Sequence, residues 1–147
     1  MEVIIALGVG IIIVTAMVSL AVFTLRTSTV NERLVKGTRL TNQQLERARA
    51  LRDDYITSAT WEDFYLYASG LNCTTDCSDA GSCYINDGIS LVEGLPAASD
   101  GITSCIYFET VSGNTEVINV IAVSTWEIGG ETKFTHNYSQ LSNWSVR

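Results

Sequence analysis

The chain opens on 23 residues, Val3 to Leu25, without a charged side chain, and its apolar positions there leave no polar face. A run of that length crosses a hydrocarbon core of about 30 Å as a helix, so the pattern predicts a transmembrane helix or its equivalent over 1–25. A secretory signal peptide would begin with basic residues and carry a shorter apolar stretch ending in a small-residue cleavage site. Here the acid Glu2 comes first instead. From Arg26 the pattern turns amphipathic. The segment has no proline and is rich in Arg, Leu, Gln and Glu, all good helix formers. Val30, Leu34, Leu45, Ala48 and Tyr55 fall on helical spacings, with Leu40 and Leu51 on a neighbouring line. A stem helix over 26–55, continuous with the first, is expected, with a bend or loosened turn near Gly37, Thr38, Thr41 and Asn42.

Beyond the stem the period shortens to two. The runs YLYASG, SCYIN, ISLVEG, ITSCIYFETV, EVINVIAVSTWEI and TKFTHNY are rich in β-branched and aromatic residues and are separated by Gly, Asn, Asp and Ser, which predicts strands. Gly129-Gly130 is the strongest hairpin signal, because adjacent glycines adopt the positive φ of two-residue turns, and Ser112-Gly113-Asn114 marks an earlier one. Val117, Asn119, Ile121, Val123 and Thr125 share one strand face and Ile118, Val120, Ala122, Ser124 and Trp126 the other, which is expected to meet the stem. The predicted architecture is α+β: a long N-terminal hydrophobic helix packed on a C-terminal antiparallel sheet head over 56–147, shaped like a lollipop.

Charge separates the same segments. The formal net charge is −7, but residues 26–52 hold seven of the nine basic side chains against Glu32 and Glu46, a net of +5. Residues 53–147 carry Lys133 and Arg147 against 13 acids, a net of −11. Such blocks suit either a membrane-proximal collar below an acidic head or oriented pairing between identical subunits. An acidic balance speaks against direct nucleic-acid binding.

Cys73, Cys77, Cys83 and Cys105 lie in the loop-rich segment 72–105. An even count outside the cytoplasm suits two disulfides with three possible pairings, each bridge stabilising a small head by about 2–4 kcal/mol. The alternative, a four-thiolate zinc site, lacks the usual paired spacing. Asp76, Asp79, Asp87 and Asp100 could offer oxygens to calcium but fit no EF-hand pattern, which favours solvated carboxylates. No catalytic constellation is present, since His136 stands on a strand without a nucleophile motif. Neither catalytic nor metal-ligating residues, nor a cofactor, are expected. Asn72, Asn137 and Asn143 open short glycosylation patterns that arise often by chance.

The opening MEVIIALGVGIIIV resembles the mature N-terminus of type IV pilins and pseudopilins, in which a glutamate precedes an apolar helix. The stem ending RARALRDD, the strand ending Trp126-Glu-Ile-Gly-Gly and the closing YSQLSNW look similar to the same family. The resemblance covers the whole chain, strongly at the start and loosely in the head. It implies a processed subunit of a helical filament, held in the membrane before assembly as a single-pass protein and displayed afterwards at the cell surface. The implied partners are further copies of the chain, the inner-membrane assembly machinery and a prepilin peptidase. Glu2 would pair with the N-terminal amine of a neighbouring subunit, although in the family this glutamate lies a few residues in from the mature N-terminus. Gly8 and Gly10 would serve where family members often have a helix-breaking proline. Arg26, Arg33 and Arg39 would meet acidic groups on neighbouring heads.

The positive-inside rule places the flank after Leu25 in the cytoplasm, whereas the cysteines argue for outside; a removed basic leader would reconcile the two. Three functional classes follow: a major filament subunit, a minor pilin or type II secretion pseudopilin, and a membrane-anchored extracellular ligand-binding domain.

Overall fold

The computed structural model describes residues 2–75, 77 and 81–143, without the side chains of Glu2 and Ile4. The chain is α+β in the order α1 (Glu2–Ser58), α2 (Trp61–Gly70), β1 (Cys83–Ile85), β2 (Leu91–Glu93), β3 (Ile102–Val111), β4 (Asn114–Ile128) and β5 (Glu131–Ser142). It divides into two compact units, Met1–Arg33 and Leu34–Arg147.

In the first unit the structure is helix alone, and every described side chain from Val3 to Glu32 is exposed. The helix is long and apolar enough to cross a membrane.

In the second unit α1 contributes Gly37, Thr41, Gln44, Leu45, Ala48 and Leu51 as its buried face. Their spacing of three and four residues is the amphipathic period read above. Val30 and Leu34 are exposed, so the buried face begins later than expected. No loosened turn interrupts the helix at Gly37, since α1 is unbroken to Ser58. Gly37 is instead a point of close approach: a Cβ placed there would lie 2.9 Å from Cζ3 of Trp126 and 3.2 Å from Cγ2 of Thr135. Trp126 is 4% exposed, so its ring has little room to retreat. Gly37→Ala therefore trades overpacking of about 1–3 kcal/mol against a helix-propensity gain of about 1 kcal/mol. Net destabilisation of about 1 kcal/mol is expected, more for Gly37→Val, measured by thermal unfolding of the full chain in detergent. A more stable Ala variant would contradict the close approach.

The aromatic run YLYASG is helix, not strand. Thr60 caps α2: its hydroxyl accepts from the Asp63 N–H at 3.2 Å while the Asp63 carboxylate accepts from the Thr60 N–H at 3.0 Å, a reciprocal box. Trp61, Phe64 and Ala68 then bury one side of the helix, and the Trp61 indole N–H donates to the Thr115 carbonyl at 2.8 Å.

β3, β4 and β5 form one antiparallel sheet in that order, and β1 and β2 form a two-stranded ribbon. The glycine turn joins β4 to β5 with Gly129 and Gly130 at φ of 63° and 81°, conformations that a side chain disfavours. Ile118, Val120, Ala122, Ser124 and Trp126 are buried on β4, as the alternation predicts. Of these, Ile118, Val120 and Ala122 close a core with Leu45, Ala48 and Leu51 of α1, Phe64 of α2, Ile85 of β1, Ile106 of β3 and Leu141 of β5.

Candidate assembly surfaces

An apolar segment is usable in lipid or in a filament core only if its polar groups are satisfied internally. In the uncharged run Val3 to Leu25 the hydroxyls of Thr15, Ser19 and Thr24 meet that condition. The Ser19 hydroxyl donates to the Thr15 carbonyl at 2.9 Å and the Thr24 hydroxyl to the Leu20 carbonyl at 2.8 Å, while Thr15 is bonded in the same way to Ile11. Thr27 and Thr29 repeat the pattern on Phe23 and Leu25 at 3.0 and 3.1 Å. Around them Leu7, Ile12, Met17, Leu20 and Phe23 stand exposed. Gly8 and Gly10 have no atom within 4 Å of where a Cβ would sit. Gly10 lines a shallow apolar groove of about 530 Å³ with Leu7, Ile11, Val14, Thr15 and Val18. The backbone of Glu2 begins α1, where a carboxylate is favoured by the helix dipole; its side chain lies outside the described residues.

The basic block is less free than the sequence implies. Lys36 pairs with Asp100 at 3.2 Å, and Arg49 with Glu46 at 2.5 Å. Arg52 pairs with Asp53 at 2.7 Å. Arg47 donates to the Ile85 carbonyl at 2.9 Å and pairs with Asp87. Gln44 adds two bonds to the backbone of Ile85, accepting from its N–H at 3.0 Å and donating to its carbonyl at 3.4 Å. These residues fasten the β1 ribbon to α1, a role the sequence reading missed because the partners are about forty residues apart. Arg33 also has a partner. Arg26 and Arg39 are exposed and form no ion pair with a described residue. Of the three arginines expected to act between subunits, these two are the ones available.

The cysteines form two disulfides, Cys73–Cys83 and Cys77–Cys105, with Cα separations of 5.4 and 5.6 Å, so the zinc alternative falls. Cys105 points to the outer sheet face, and the second bridge fastens Cys77 there, buried near the Val123 carbonyl. Asp87 and Asp100 are engaged by Arg47 and Lys36; Asp76 and Asp79 lie outside the described residues. Asn137 donates to Thr41 and Asn42 of α1 at 3.1 and 2.8 Å, and Asn143 to Glu116 at 2.9 Å, so neither side-chain amide is free. Asn72 is exposed. The rest of the Asn143 pattern, Trp144 and Ser145, lies outside the described residues.

The outer sheet face carries Tyr107, Ile121 and Tyr138 in one cross-strand row and Thr125 and Phe134 in another. Burial raises the Tyr107 phenol above its ordinary pKa, with a further push from Glu109. His136 stands between Phe134 and Tyr138 on β5, its ring stacked 6.4 Å from that of Phe134. The bond from Lys133 holds the Glu131 carboxyl below its usual range.

Compared with known proteins, the chain matches no family model, no curated protein and no solved structure.

Proposed function

We propose that this chain is the structural subunit of a type IV pilus-like filament, polymerising through its N-terminal helix with its heads outward. The observation that carries the reading is the uncharged run of the first unit: an apolar helix whose described side chains from Val3 to Leu25 are all exposed, with its hydroxyls bonded to its own backbone. Such a helix needs a lipid or protein environment, and a filament core supplies the second after the membrane has supplied the first. Moving its side chains away from water is worth about 25 cal/mol per Å² of apolar surface. Before assembly the chain is a single-pass membrane protein, processed by a prepilin peptidase and handed to an inner-membrane assembly machinery.

Charge then sets the stacking. Arg26 and Arg39, without ion pairs among the described residues, face acidic heads of neighbouring copies, which orients subunits more than it tightens them. Glu2 specifies register, pairing with a neighbour's N-terminal amine so that a misplaced subunit strands a charge in an apolar core.

The reading is tested by removing detergent from the purified chain and imaging the product. Filaments of uniform width built from this chain alone support it. Amorphous aggregate or vesicle-bound monomers favour a minor subunit or a membrane-anchored ectodomain.

A further inference from the structure

The two margins of the main sheet are treated differently by the fold. The ribbon strand β1 packs along β3, while none of α2, β1 and β2 packs on β5. β5 is 12 residues long, pairs with β4 without a register shift and contains no proline. Its two formally charged residues, Glu131 and Lys133, are bonded to each other at 2.5 Å. Natural sheets protect such edges with bulges, prolines, inward charges or covering elements, because an open edge presents unpaired N–H and C=O groups to any passing strand. Among the described residues, the middle of β5 carries no bulge, proline or charged side chain. α1 lies against the inner face of β5, where Asn137 donates to Thr41 and Asn42 and Ser139 accepts from Arg49 at 3.1 Å, but an open cleft of about 570 Å³, lined by Asn42, Leu45, Glu46 and Arg49 of α1 and by His136, Asn137 and Tyr138, leaves room beside the strand.

The same strand carries the most exposed large hydrophobic side chain among the described residues, Tyr138 at 81%, with Phe134 at 67% two positions beyond His136. The three side chains share one face, and a second strand of the same sequence is complementary to it. Antiparallel pairing centred on His136 sets Phe134 opposite Tyr138 on both sides of the axis and His136 opposite its own copy. On the other face, where Asn137 and Ser139 already bond α1, Thr135 stands opposite Asn137 and Lys133 opposite Ser139. No like charges stand opposite one another in that register. The neighbouring pair Glu46–Arg49 is also internally neutralised, so this margin is close to neutral in a segment, 53–147, that otherwise carries −11. Two acidic heads approach there with little like-charge repulsion.

We propose that β5 is a homotypic docking edge, to which a second copy of this chain adds its own β5 antiparallel and centred on His136, joining two three-stranded sheets into one of six strands. The contact is two-fold and closes on itself. It therefore joins subunits that run in opposite directions, either unassembled or on adjacent filaments, and is independent of the polymer contact proposed above.

The test uses the full chain in detergent under non-reducing conditions, which preserve both native disulfides. Residues opposite each other in an antiparallel pair have Cα atoms about 4.5–5.5 Å apart, within disulfide reach. His136→Cys is expected to give a covalent dimer on mild oxidation. Phe134→Cys alone is expected to stay monomeric, because its two copies are four positions out of register, about 13 Å apart. A mixture of Phe134→Cys and Tyr138→Cys chains is expected to cross-link. Tyr138→Asp, on an exposed side chain that leaves the core untouched, is expected to raise the dimer dissociation constant about tenfold by analytical ultracentrifugation. A His136→Cys chain that remains monomeric, cross-linking of Phe134→Cys as efficient as that of His136→Cys, or dimerisation unchanged by Tyr138→Asp would overturn the proposal. Loss of this contact would leave polymerisation through the N-terminal helix standing, and the reverse holds as well.

Discussion

A Glu2→Ala chain is expected to fold, to enter the membrane fraction as fully as the native chain, and to build no filaments. The head does not depend on that side chain: its core is drawn from Leu45 onward, within the Leu34–Arg147 unit. Membrane entry depends on the apolar run, which the substitution extends, since a carboxylate near a helix end is replaced by a methyl group. Assembly is different. If each carboxylate is paired with a neighbour's amine, the alanine removes an attraction and leaves the amine unpaired in an apolar core, a loss of about 3–5 kcal/mol per subunit. In a polymer that loss recurs at every interface, so the outcome is absence of filaments rather than shorter ones. The measurement is filament yield by electron microscopy beside membrane content by immunoblotting. Abundant filaments of normal form from Glu2→Ala would refute the register role.

The second large effect lies in the head. Phe64 is fully buried and sits among aromatic rings, 5.9 Å from Tyr55, 5.6 Å from Trp61 and 6.3 Å from Phe108 between centroids. It links the end of α1, the short helix α2 and the sheet. Phe64→Ala is expected to cost about 3–5 kcal/mol, the transfer of the ring plus the cavity left behind. For a head of this size that shifts the unfolding midpoint by more than about 10 °C. Thermal unfolding followed by near-ultraviolet circular dichroism of the full chain reads it. A shift of only a degree or two would mean that the three elements are not joined through this ring.

The parts of this architecture that were legible beforehand are those in which one local period dominates. The uncharged run from Val3, the alternation along β4 and the paired glycines before β5 each announce an element without help from the rest of the chain. Misreadings arose where local and tertiary signals compete. Tyr65 and Tyr67 alternate as a strand would, but the Thr60–Asp63 box and the burial of Trp61, Phe64 and Ala68 decide for helix. Gly37 looked like a helix breaker because glycine lowers helix propensity. Its reason for being there is Trp126, 89 positions later, which no local window contains.

The candidate surfaces divide in the same way. The apolar helix is plain from composition, whereas the uses of the basic block are not. Arg47 is committed to Ile85 and Asp87, and Lys36 to Asp100, through folding of the 83–100 region back onto α1. Only with those pairs known do Arg26 and Arg39 emerge as the arginines left for other molecules. The disulfide pairing was likewise one of three until the fold brought Cys77 to the outer side of β3.

The central claim is that this chain is a filament subunit, and it is tested most directly by shearing surface appendages from cells that express it, imaging them by electron microscopy and determining the subunit's N-terminus by mass spectrometry. The account predicts filaments whose principal component is this chain, with a processed, amine-bearing terminus close to Glu2. Appendages lacking the chain, with all of it retained in the membrane as an unprocessed monomer, would contradict it.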